Sequence, residues 1–457
     1  MRATFFVFLA LSLPVAALAQ EAPLTLNEAI AVALRRQPSL AGSAANREAA
    51  LERLKQSRSR LGPSVTPTFS YQSQASHGST TTFVNGAPVT KTGTTTSDNR
   101  QEQISTSLRL FDTGNRKLTV RQSQQALTAQ ELSEQNTRQT VINNVAANYY
   151  AVLRTRALVK VSMAQVDRAE NALKLVQAQL IAKQVARKDT LQADADLQNA
   201  RVNLLQARNN VQIAEAQLRS SMGALDLREL NLADVVAPTA QTPITIASVI
   251  GDETDDARVI AKLSAFANKS RPDVEQGRVG VASSETGIQL AKVGARPTVT
   301  ADVSDQHAFD AKNNPLKHLS DNQLFSLNFS VPLYDGGNVR AAVRASEATK
   351  RASEAQLEVQ VQQVSVEVEQ TWRSLQLARL SIPAAESAQK AAQINYDAAI
   401  AARREGIGNI TDVITAQTSL VQAQTNYVQA IYNFYTADAQ LAKAVGLAEK
   451  LGEGIKP

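Results

Sequence analysis

Chemistry-bearing side chains are few in this chain and far apart. Among 457 residues there is no cysteine, and the three histidines, His77, His307 and His318, sit in polar stretches that read as loops. A zinc set, or a nucleophile with its base, needs such groups in one constellation, and a phosphate site needs a glycine-rich turn. Neither pattern is present. The chain reads as a non-enzyme with no cofactor, and any energy for its work comes from elsewhere. What does recur is an aspartate at a turn. Asp112 and Gly114 in LRLFDTGNRK, and Asp335 and Gly337 in VPLYDGGNVR, each close a strand-like run and open a long polar one. One strand-to-helix junction is built twice.

The duplication extends well past those turns. Asp112 recurs as Asp335, Val120 as Val343, Arg121 as Arg344, Val141 as Val364, Asp189 as Asp412, Asn203 as Asn426 and Gly223 as Gly446, all at a shift of 223 residues. Upstream, RRQPSL (35–40) matches KSRPDV (269–274), and Pro63 matches Pro297, at a shift of 234. The shift therefore changes by 11 residues between Pro63 and Leu108, so the first copy carries an insertion there. Insertions collect in surface loops, and Ser73 to Asn99, rich in Ser, Thr, Gly and Asn, is read as that loop. The expected units are a first repeat over 20–235, a linker over 236–255 and a second repeat over 256–457.

Each repeat reads as helix, strand, loop, strand and two long helices. Strands are expected at about 63–73 and 101–111 in the first copy, and at about 297–306 and 322–333 in the second, because apolar and polar residues alternate there. The clearest run sets Phe325, Leu327, Phe329, Val331 and Leu333 against Ser326, Asn328, Ser330 and Pro332. Long helices are expected over 115–222 and 337–446. From Asn115 to about Ala182 no Pro or Gly interrupts, a run of roughly 100 Å at 1.5 Å per residue. After a break near Val185 to Asp189, the seam Leu197, Ala200, Leu204, Ala207, Val211, Ala214, Leu218 steps by three and four, and its copy is Leu420, Ala423, Tyr427, Ala430, Phe434, Ala437, Leu441. Alternating large residues with Ala is a coiled-coil pattern that lets neighbouring backbones approach closely.

Location follows from the start of the chain and from the strands. Arg2, an apolar run from Phe5 to Leu13 and the small-x-small site Ala17-Leu18-Ala19 read as a secretory signal peptide over 1–19, with no cysteine after it for a lipid anchor. No later window offers the roughly 18 apolar residues of a spanning helix. The net charge of +6 is spread thinly and points to no nucleic acid. The dyad strands suit either a transmembrane barrel wall or a half-buried soluble sheet. The leader and the polar loops favour the barrel. Because the smallest such barrels have about eight strands, four strands per chain must be completed by other copies.

The whole pattern resembles a known family, the TolC-like outer-membrane efflux proteins. LTLNEAIAVALRRQPSL (24–40) is similar to the family's opening helix, the two Phe/Tyr-Asp-x-Gly junctions to its strand-to-helix turns, and GNITDVITAQTSLVQAQ (408–424) to its second hairpin. The resemblance implies a mainly α chain with a pair of transmembrane β-hairpins. Its long antiparallel helices would form a coiled-coil tunnel in the periplasm, and its four strands would supply a share of a 12-stranded barrel in a homotrimer set in outer-membrane lipid. It also implies a periplasmic adaptor (membrane fusion) protein and an inner-membrane RND or ABC transporter as partners. In that family carboxylates near the second hairpin tip line the periplasmic aperture, which picks out Asp412 and, by the repeat, Asp189. A second family aspartate one turn on is Thr415 here. The basic neighbours Arg187, Lys188, Arg403 and Arg404 leave a second role open for both aspartates, capping a helix N-terminus. A reading from another class also stands, a trimeric surface structural protein or adhesin, which would carry the long helices outside the cell.

Overall fold

The computed structural model describes residues 23–224, 230–234, 246, 249–251, 253, 255–310 and 318–452. The expected leader at 1–19 lies outside them, as does most of the expected linker at 236–255. The first repeat gives α1 (Leu26–Arg36), α2 (Pro38–Ser59), β1 (Ser64–Val84), β2 (Ala87–Phe111), α3 (Asn115–Ile181) and α4 (Arg187–Ser221). The second gives α5 (Asp256–Ser270), α6 (Pro272–Val293), β3 (Thr298–Asp310), β4 (His318–Ser330), α7 (Asn338–Arg404) and α8 (Ile410–Ala444), followed by a 3-10 turn at Ala448–Gly452. The two copies match in helix length as well as order: α3 and α7 have 67 residues each, α4 and α8 have 35.

The strands form one antiparallel sheet in the order β1-β2-β3-β4. Its register puts Val65, Phe69, Ile104, Val303, Phe325, Leu327 and Phe329 on one face, all exposed in the single chain. The other face carries Thr66, Thr68, Ser70, Gln103, Ser105, Ser107, Ser304, Ser326 and Asn328. Farther from the helices the first face also carries Glu102, Asp305, His307 and Asp321, so its apolar band lies in the helix-proximal rows; there an apolar outside against a hydroxyl and amide inside is the arrangement of a barrel wall with lipid beyond it and water within.

Two strand expectations need correction. Residues 73–99 are not a loop, because β1 and β2 continue in unbroken pairing to Val84 and Ala87 and close through Asn85-Gly86, with φ of 54° and 78°. Two central residues with positive φ make the type I′ turn whose twist matches the strands, and β-branched Thr suits the strands that lead to it. The other correction is at β4, which ends at Ser330 rather than at residue 333. Pro332 has no N–H for the ladder, and Leu333 and Tyr334 stand almost wholly exposed at 94% and 90%.

The helices line up in an order that mirrors the sheet. Toward the barrel the row is α2, α3, α6, α7; in the distal half it is α4, α3, α8, α7. The interior members bury their seams. α8 buries Leu420, Ala423, Ala430, Phe434, Ala437 and Leu441, while the middle of the matching seam in α4 is only half covered. Two cores sit near the waist, one gathering α1, α3 and the ends of α4 and α8 around Tyr149, Tyr150 and Leu218, the other gathering α5, α7 and α8 around Leu263, Val368, Trp372 and Leu441. No described helix is long and apolar enough to cross a membrane.

Candidate functional site: both ends of the helical layer

At the barrel end, each junction aspartate folds its carboxylate back onto the turn that follows. Asp112 accepts from the N–H groups of Gly114 (3.1 Å) and Arg116 (3.0 Å), and from Nε of Arg116 (2.7 Å). Asp335 accepts from Gly337 (2.9 Å) and Val339 (2.7 Å). Gly114 and Gly337 precede the first residues of α3 and α7 with φ of 90° and 86°, so the chain turns sharply from strand to helix where a side chain is strained. Burial alone would raise the Asp112 carboxyl, but the hydrogen bonds and charge of Arg116 outweigh it and hold the group below the usual range. Arg116 also donates to the carbonyls of Leu61 (3.1 Å) and Arg109 (2.6 Å), tying α2, β2 and α3 together. At the second junction Val339 stands in that place, and Asp335, held low by the backbone N–H groups of Val339 and Gly337, stays exposed.

At the far end the hairpin tips turn by the same backbone device. Lys183 and Gly406, equivalent in the repeat, have φ of 55° and 77°. Gln184 N–H returns to Gln179 O (2.9 Å) and Ile407 N–H to Ala402 O (3.0 Å), the helix-ending pattern that a left-handed residue makes. The aspartates then diverge. Each is the third residue of its helix, so neither is the N-cap itself. Asp412 forms a capping box, its N–H donating to Asn409 Oδ1 (2.9 Å) and its carboxylate receiving Asn409 N–H (3.4 Å), and it remains exposed. Asp189 has Ala186 before its helix, which offers no such cap, and faces Nη2 of Arg403 at 3.5 Å across the two hairpins. Arg403 is buried, with 7% of its side chain exposed, and also donates to Gly408 O (3.0 Å). Asp189 is thus paired across the hairpins, while Asp412 stays open to solvent on its own helix.

Between tips and waist, a narrow apolar strip of Val176, Ala193, Tyr396, Ile410, Val413, Ala416 and Leu420 joins the hairpins. Polar bridges flank it: Gln179 to Arg403 O (3.2 Å), Gln192 to Thr411 (3.4 Å), Gln417 to Asp196 (3.1 Å) and Arg168 to Gln424 (3.2 Å). Burial pushes the Asp196 carboxyl up, against the pull of the Gln417 amide. The strip is bounded by amide and carboxylate contacts rather than widened into a continuous apolar core.

At the waist the repeat mates Glu215 and Asp438 also part ways. Glu215 meets Arg156 Nη2 at 2.5 Å and Arg219 at 3.9 Å. Asp438 lies beside Tyr150 and Tyr435, its Oδ1 is buried with no hydrogen-bond partner, and burial pushes the carboxyl up to about 7. Sequence reading missed Arg403 as a partner and Asp438 altogether. The shift of 223 residues pairs Asp438 with Glu215 and Arg379 with Arg156, so the signal was present but silent about which pair meets.

A family model described as outer membrane efflux protein matches residues 29–224 and 263–447. The chain belongs to the outer membrane efflux protein family. No curated protein matches it by sequence. Among solved structures it is similar to CusC, at 16% identity, covering 94% of this chain and 95% of that one with a TM-score of 0.76. It is similar to the outer-membrane channel OprN, at 18% identity, 92% and 89% coverage and a TM-score of 0.74. The open-state channel MtrE of Neisseria gonorrhoeae matches at 16% identity, 92% and 89% coverage and a TM-score of 0.72. The chain is an outer-membrane efflux family protein whose sheet is a protomer's share of the barrel and whose long helices form the periplasmic tunnel. That placement of the helices is opposite to the one an adhesin stalk requires.

Proposed function

We propose that three copies of this chain close into a 12-stranded barrel and a twelve-helix tunnel. This ring is a passive duct for a tripartite efflux or type I secretion assembly with a periplasmic adaptor and an inner-membrane RND or ABC transporter. The observation that carries the reading is the pair of open edges. β1 and β4 end the sheet, and α4 and α7 end the distal helical row. The α4 edge exposes Leu191, Val202, Leu205 and Ile213, and the α7 edge exposes Val359, Val366, Leu377, Leu380 and Ile394. Unlike edges of this kind join head to tail and close into a ring, and in lipid an open strand edge is not tolerated. Leu333 and Tyr334, bare at the β4 end, then face the neighbour's β1 side.

The conduit has no energy source of its own and a nearly neutral barrel lining of hydroxyls and amides, which suits passage of varied cargo. Its control lies at the tips, where Arg403 ties the first hairpin to the second through Asp189, and where three Asp412 carboxylates face the entrance. A shallow groove along α7 and α8, lined by Ala388, Ile414, Thr415, Thr418, Ser419 and Gln422, offers a small-residue surface for an adaptor helix.

The test is single-channel recording of the purified assembly in a planar bilayer, with no nucleotide and no proton gradient. The expected result is a low cation-preferring conductance that rises severalfold in the double variant Asp189→Asn, Arg403→Gln. Absence of current from both forms would overturn the duct.

A further inference from the structure

The first barrel hairpin outlasts the second. β2 pairs with β3 only from Asn99 to Phe111, whereas β1 and β2 stay paired out to Val84 and Ala87. Residues 73–98 therefore leave the sheet as a two-stranded ribbon on the side away from the helices. A lone ribbon is marginally stable in water. This one ends in two apolar pairs, Phe83 opposite Pro88 and Val84 opposite Ala87, next to Val89 opposite Thr82, and Phe83 is 75% exposed. No described residue of the same chain covers them. An apolar tip on a hydroxyl-rich arm is a contact surface waiting for like surface.

Below the tip, Gly78 stands directly opposite Gly93. No heavy atom lies within 4 Å of where a Cβ would sit at either position, so packing in this chain does not demand glycine. Paired glycines remove the cross-strand side-chain contact that stiffens a sheet. Strand parity puts this pair on the face that, lower down, carries Thr66, Thr68 and Ser70, the lumen side. An inward bend compresses that face, and at this level no side chains resist it. Reach decides whether such a bend matters. The seven residues from Gly78 to Asn85 span roughly 23 Å at about 3.3 Å each. Twelve strands about 4.8 Å apart and tilted about 40° make a wall of radius about 12 Å. A bent arm therefore reaches the axis.

We propose that the ribbon tips are an interface between copies of this chain: the arms bend inward at Gly78 and Gly93, and the tips of three protomers, each with Val84 and Val89 on its inward face and Phe83 on its outer face, meet to cover the external mouth. This rests on the three-copy ring. The single cation in residues 74–97, Lys91, shares the inward face and would line the underside of the cover.

Because the chain has no cysteine, Val84→Cys provides a unique thiol. The full-length assembly is oxidised in detergent, its copy number is read by native mass, and tip disulfides are read on a denaturing gel. Disulfide-linked dimers in about half of the protomers, a yield cut at least tenfold by added Gly78→Val and Gly93→Val, support the interface and its hinge. A three-copy assembly whose introduced thiol reacts fully with a bulky maleimide and yields no dimer overturns the proposal while leaving the ring intact. Equal dimer yield with and without the glycine changes overturns the hinge. A mass other than three copies overturns the ring, and the cover falls with it.

Discussion

The two repeats share their backbone and differ in their charges. Both turn from strand to helix through an aspartate and a left-handed glycine, both run 67 and then 35 helical residues, and both turn at the tip through a left-handed residue. Yet Arg116 knots the first junction while the second lies bare, Asp189 is paired across hairpins while Asp412 caps its own helix, and Glu215 has an arginine while Asp438 has none. Position in the row explains part of this. α3 and α8 are interior and their seams are sealed within the chain, while α4 and α7 lie at the edges and leave apolar groups exposed. Duplication repeats what the backbone needs. Side chains diverge where one copy is interior to the helical row and the other lies at its edge.

The largest break in the comparison is at Asp438. Its folded-state proton is held to about 7, whereas an unfolded aspartate releases it near 3.8. The folded state therefore binds more protons between those values, stability falls as pH rises through that window, and the full penalty applies above about 7. That penalty is on the order of a few kcal/mol. Asp438→Asn is expected to stabilise the protein by a large part of that at pH 8, to do little at pH 4, and to flatten the pH dependence measured by denaturant unfolding. The same change at Glu215 should destabilise at pH 8, since it leaves Arg156 without its carboxylate.

Next comes the latch between the tips. Asp189→Asn leaves the buried Arg403 cation facing an amide, a loss of about 3 kcal/mol by analogy with broken buried pairs. Adding Arg403→Gln should recover part of that loss, and thermal melts of the single and double variants check it. A double variant no more stable than Asp189→Asn would mean the pair is incidental.

The tip residues offer a smaller contrast. Gly406→Ala places a side chain in a left-handed conformation and is expected to cost about 1 kcal/mol, while Lys183→Gly relieves the same strain in the first hairpin and should gain about half of that. Opposite responses in melting temperature, with the loss at Gly406 about twice the gain at Lys183, would show that the two turns are energetically one turn. The smallest stability effect is at Asp412, where Asn retains much of the capping box and should cost about 0.5 kcal/mol. Its consequence is electrical instead: the cation preference of the closed channel should weaken measurably, and the wild-type preference should itself fade with added salt.

Most of the fold was legible because periodicity and duplication report backbone. The shift of 223 residues pointed to both junctions, both tips and the long helices, while alternation marked the helix-proximal part of each strand but not how far the first hairpin continues. The 27 residues from Ser73 to Asn99 were misread because Ser, Thr, Gly and Asn belong equally to loops and to a solvated two-stranded ribbon. The Asn85-Gly86 pair, two residues after Phe83 in a Thr-rich alternation, was the overlooked sign. At β4 the proline at 332 should have ended the strand sooner than the apolar rhythm suggested. The charged pairs were the least legible. No spacing rule tells that Arg403 crosses to Asp189, because that contact exists only once α3 packs against α8.

In the proposed ring the open edges of one chain are filled by the opposite edges of two others. Native mass measurement of the protein extracted in mild detergent tests it most directly. A single dominant species of three copies is expected, and a dominant monomer or dimer would contradict the ring.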